Sequence, residues 1–129
     1  MEFTSQICTT KEQSERLLTL GLKKETADMH HYKWSEGYWD IQACPVRGSE
    51  SCYIPAWSLH RLIEIMPNEI VVDDEYPLIF CISHNTVYYA DNEYAEVFKA
   101  FDGDLYQQII NCIEWLIKEG YFNEEYLEK

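Results

Sequence analysis

The stretch Tyr76–Ala90 reads YPLIFCISHNTVYYA. Its first eight residues are apolar on both faces and too few for a buried helix, which predicts a central strand over 76–83. His84, Asn85 and Thr86 can turn the chain, and Asn85 tolerates the positive φ that a tight turn asks for. Val87 to Ala90 then returns as the second arm of an antiparallel hairpin. Just upstream, Ile70-Val71-Val72 is a short apolar run, separated from the strand by the acidic turn Asp73-Asp74-Glu75.

Downstream, residues 93–101 fit strand and helix equally. Asp102-Gly103-Asp104 then announces a helix, with Asp104 and Gln107 at capping-box spacing and Gly120 as the stop. Leu105, Ile109, Ile110, Cys112, Ile113, Leu116 and Ile117 cover nearly half its circumference, the pattern of a core helix. Residues 121–129 read as a short amphipathic tail on the surface.

The N-terminal half opens with Thr9-Thr10, where Thr9 with Glu12 or Thr10 with Gln13 has capping-box spacing, followed by a helix over 11–21 that Gly21 ends. Glu25 to Met29 allows a helical turn, and residues 30–37 show no period. From Tyr38 to Cys44 the residues alternate, with Trp39, Ile41 and Ala43 on one face, as in a half-buried strand ended by Pro45. Val46 to Cys52 reads as a loop. Ile54 to Met66 reads as a helix with Pro55 in its first turn and Pro67 past its end. No repeat, low-complexity segment or linker divides the chain. The expectation is a single α+β domain over 1–129, with a small, mainly antiparallel sheet packed against helices.

Composition narrows the function. Of 129 residues, 47% are hydrophobic and 15% aromatic, enough for one core without a metal or disulfides. The five cysteines are irregularly spaced with no C-x-x-C, which fits reduced, mostly buried thiols. With no targeting pattern and no apolar run of bilayer length, the reading is a cytoplasmic protein off the membrane. The net charge is −13, and residues 65–129 hold fourteen acids against three bases, a net of −11. Such a field repels phosphate backbones and attracts a basic partner.

The candidate residues follow from helix geometry. On the 54–66 helix, Leu59, Leu62, Ile63 and Met66 form the core stripe at about 100° per residue. Trp57 then lies nearly opposite, in the sector of Arg61 and Glu64 with His60 at its edge. Trp115 likewise projects away from the stripe of its own helix. Each tryptophan is either covered within the domain or presented to a partner, and tryptophan is strongly enriched in binding hot spots. The predicted partner-binding set is Trp57, His60, Arg61, Glu64 and Trp115, with Asp73, Asp74 and Glu75 supplying charge. His60 and Glu64 also have the spacing of a dyad, but catalysis needs a third group and a pocket. His30-His31 near Asp28 and the pair Cys44/Cys52 are weak metal candidates, because no second cluster completes either site. No cofactor motif occurs, and neither acidic loop, 91–93 or 102–104, has the spacing of a calcium site.

Several pieces together resemble an uncharacterised family of small proteins of gut bacteria and their mobile elements or phages. They are Leu17–Leu22, Thr26–Met29, Pro55–Leu59 with Leu62-Ile63 and Met66-Pro67, and Cys112–Ile117 with Gly120–Phe122. The resemblance implies a mobile-element setting and carries no activity, cofactor or site. The expected function is a non-enzymatic, acidic protein-binding module, in its sharpest form an inhibitor that mimics nucleic acid. The alternatives are a small hydrolase using His60 and Glu64, or His30 and Asp28, and a self-associating accessory protein that forms a homodimer.

Overall fold

The computed structural model describes residues 5–45, 52–72, 77–91 and 96–129. The expected loop over 46–52 lies almost wholly outside them. The α+β class holds, but the strands form two antiparallel sheets instead of one, and the chain divides into two compact units.

The first unit comprises residues 1–65 and 124–129. Helix α1 (Lys11–Thr19) begins at Thr10, which accepts a hydrogen bond from the Gln13 N–H at 3.1 Å while the Gln13 side chain accepts from the Thr10 N–H at 3.0 Å. Of the two threonines, Thr10 is the cap. Thr9 is buried, and its hydroxyl meets Ser14 and accepts from the Trp57 N–H. A 3₁₀ turn at Lys24–Thr26 leads into β1 (Met29–Lys33), which pairs with β2 (Trp39–Gln42) and β3 (Tyr53–Ala56) in the order β2-β1-β3.

Sequence and structure part at β3. Residues 54–57 are not helical, and helix α2 spans only Leu59–Ile65. Pro55 disfavours helix at Ile54 and has no N–H to give, so an edge strand suits the pair. The helix starts at Ser58, whose hydroxyl accepts from the Arg61 N–H at 3.2 Å, and Asp28 fixes Ser58 by accepting from both its N–H and its hydroxyl. Leu62 and Ile65 are buried, while Leu59 and Ile63 are partly covered. The C-terminal tail is anchored: Leu127 forms a β-bridge with Leu22, and the Lys23 N–H donates to the Tyr126 carbonyl at 2.8 Å.

The second unit, residues 66–123, is a meander of β4 (Glu69–Val71), β5 (Pro77–Ser83), β6 (Thr86–Asp91) and β7 (Glu96–Ala100), with helix α3 (Leu105–Glu119) packed on β6. Pro77–Ser83, within the stretch read as a central strand, lies between β4 and β6. The turn takes its positive φ at His84 (55°), not at Asn85. Residues 96–100, which the sequence left open, form a strand. Helix α3 is capped by Asp104, which accepts from the Gln107 N–H at 3.0 Å, and ends at Gly120 in the left-handed region. Buried Gln108 ties the helix to the hairpin by accepting from the Val87 N–H at 2.8 Å and donating to the carbonyls of Asn85 and Gly103.

Candidate functional site

The predicted binding set does not form one surface on α2. Trp57 precedes the helix and is 0% exposed, with its indole N–H donating to Thr26 Oγ1 at 2.9 Å. This corrects the expectation that it meets a partner. Residue 57 is not in a helix, so its side chain turns inward to Thr26 and not outward beside Arg61. His60, Arg61 and Glu64 remain on the outer face of α2, where His60 Nε2 lies 3.3 Å from Glu64 Oε1 and Arg61 Nε lies 4.0 Å from the same oxygen. The His60 side chain is 84% exposed, so the pair is solvated.

Asp73, Asp74 and Glu75, predicted to supply the charge, lie outside the described residues. His30 and His31 point to opposite faces of β1 as neighbours in a strand must: the His30 Nδ1–H donates to the Cys44 carbonyl at 2.6 Å, and the His31 Nε2–H donates to the Thr9 carbonyl at 2.8 Å. Cys52 sits beside Lys33 at the far end of the same strand, so Cys44 and Cys52 do not approach each other. Among the described residues no group of three His, Cys, Asp or Glu side chains is placed to hold a metal ion.

Trp115 is the predicted residue that does reach a surface feature. It is half-buried at the centre of four rings, with centroid distances of 6.2 Å to Tyr89, 6.5 Å to Phe98, 6.0 Å to Phe101 and 5.8 Å to Tyr121. It lines a groove of about 300 Å³ with Lys99, Phe101, Asp102, Asn111 and Glu114. A β-bulge shapes this surface. The register passes from Tyr89↔Lys99 to Ala90↔Val97, so Phe98 is the extra residue on β7. Val97 and Phe98, adjacent on the outermost strand of the sheet, are 58% and 51% exposed. Sequence reasoning missed both, because 93–101 had no assignable period and so no assignable faces. The Lys118 ammonium at the groove's edge pairs with Glu114 at 2.9 Å, and that of Lys99 stands 5.9 Å from the Phe101 ring.

The first unit carries a second aromatic surface. His30, Tyr32 and Tyr53 share one face of the sheet and, with Trp34, Gln42, Cys44 and Pro45, line another groove of about 300 Å³. Two ring pairs meet edge-on, Tyr32 with Trp34 at 4.9 Å and His30 with Tyr53 at 5.2 Å, and Tyr32 is tilted against Tyr53 at 5.1 Å.

No family model, curated protein or solved structure matches this chain. Its function must therefore be argued from these surfaces. Among the described residues, no helix is long and apolar enough to cross a membrane.

Proposed function

We propose that the chain is a non-enzymatic binding module that docks a basic protein partner through β7 and the Trp115 groove. The observation that carries this reading is the exposure of Val97 and Phe98, two large apolar neighbours on an outer strand. Natural sheets usually blunt such edges with charge, proline or cover, because an open edge is a template for another chain. Here the apolar pair adjoins a half-buried tryptophan, the arrangement of an aromatic anchor at the centre of an interface. The net of −11 over residues 65–129 adds long-range attraction for a basic surface and repulsion for phosphate chains. An accessory role in a mobile element or phage accords with the family that the sequence resembles.

A photo-crosslinking phenylalanine analogue at position 98, with the same analogue at position 60 as control, tests the reading in cells of the native host. Capture of one basic protein from position 98 and not from position 60 supports it, and equal capture from both contradicts it. Self-association is the second reading, favoured by the outer position of β7. It predicts that the protein crosslinks to itself from position 98 and that its mass in solution rises with concentration.

A further inference from the structure

We propose that the aromatic groove of the first unit is a separate recognition site for the cationic side chain of a basic peptide, lysine or arginine. Its wall is a row of ring faces on a sheet, with Tyr32 standing at 87° to Trp34 and at 49° to Tyr53. Trp34 is 39% exposed and is followed by Tyr38, whose ring stacks toward it at 6.3 Å. Rings of this kind present negative faces, to which an ammonium or guanidinium group is drawn within about 6 Å.

Three observations select a cation over a neutral apolar group. Among the described residues, the lining includes no lysine or arginine to repel one. Asp40 lies directly across from Tyr32 in the strand register, so a carboxylate borders the rings. Its Oδ2 accepts from Gln42 Nε2 at 3.0 Å, and with its amide nitrogen so engaged Gln42 can turn its carbonyl oxygen toward a donor in the groove. The chain already makes this type of contact elsewhere: the Lys11 ammonium sits 4.6 Å above the Trp39 ring and that of Lys33 lies at 6.0 Å. Among the described residues, Tyr32 and Trp34 carry no such cation. Among the described residues the groove is open along the sheet, which suits a side chain delivered by a peptide lying across the strands, and the first unit's twelve Asp and Glu against eight Lys and Arg favour a basic one.

The test titrates the full chain with three capped tripeptides that differ only at the centre, which is lysine, arginine or uncharged norleucine, and follows the Trp34 indole resonance by NMR. The proposal expects saturable shifts with lysine or arginine, at least about tenfold tighter than with norleucine. It also expects loss of that binding in Trp34→Ala and retention of part of it in Trp34→Phe. Equal binding of norleucine would overturn it, as would the absence of saturable shifts, or cation binding that survives Trp34→Ala and disappears with salt. Phe98→Ser leaves this binding unchanged, so failure here and failure of the β7 docking surface are read separately.

Discussion

The indole N–H of Trp57 donates to Thr26 Oγ1 at 2.9 Å, which places a tryptophan at 0% exposure and gives its one polar atom a partner. The backbone is held at the same point, since the Thr9 N–H donates to the Trp57 carbonyl at 2.9 Å and the Trp57 N–H donates to Thr9 Oγ1 at 3.1 Å. Trp57→Ala should cost about 3–5 kcal/mol for the cavity it leaves. Thr26→Val should cost about 1–3 kcal/mol by leaving the indole N–H unpaired. Urea unfolding measures both, and a Trp57→Ala protein as stable as wild type would show that the side chain is not in the core.

Gln108 serves three backbone groups, the Val87 N–H and the carbonyls of Asn85 and Gly103. Gln108→Leu keeps the volume but strands the Val87 N–H, so the expected loss is about 1–3 kcal/mol. Faster hydrogen exchange at the Val87 amide would locate the damage at the hairpin. A change spread evenly over the chain would speak against this local role.

The helix caps give a smaller and cleaner effect. Thr10→Ala removes the oxygen that accepts from Gln13 and should destabilise by about 1 kcal/mol, while Thr10→Ser should be close to neutral. Asp104→Ala should behave like Thr10→Ala and Asp104→Asn should restore most of the loss, both read from thermal unfolding.

The thiols should separate by burial. Cys44 is exposed, whereas Cys8 and Cys112 are buried, and burial raises the pKa of both. Cys8 is pushed from 9.0 up to about 11, first by desolvation and then by the nearby Asp28 carboxylate. Because the folded value lies above the unfolded one, this contribution is complete below pH 9 and is lost as pH rises toward 11. Mass spectrometry after brief alkylation near neutral pH should show Cys44 modified and Cys8 and Cys112 protected. The unfolding midpoint should fall across that alkaline window, and less steeply in Cys8→Ala.

The second unit was largely legible in the sequence, because α3 is long enough for its 3.6-residue period to emerge and 76–83 is too apolar to be anything but a central strand. The first unit was less so. Strand β3 is only four residues long, and Pro55 is equally at home in a helix's first turn and on a sheet edge. The overlooked signal was Ser58, a good cap placed immediately before the periodic residues. With the helix started five residues too early, Trp57 acquired a helical face it does not have. Trp115, inside a true helix, is half-buried among the rings of Tyr89, Phe98, Phe101 and Tyr121. The groove it lines depends on β7 and its bulge, and a one-residue shift of register leaves no periodic mark.

The most direct test of the docking surface is the affinity of the purified partner captured at position 98 for wild type and for Phe98→Ser, with matched melting curves as the control for folding. The account predicts a loss of at least about tenfold for Phe98→Ser, the scale of a hot-spot residue, and no change for His60→Ala. Unchanged affinity in Phe98→Ser would contradict it and move the search for an interface away from β7.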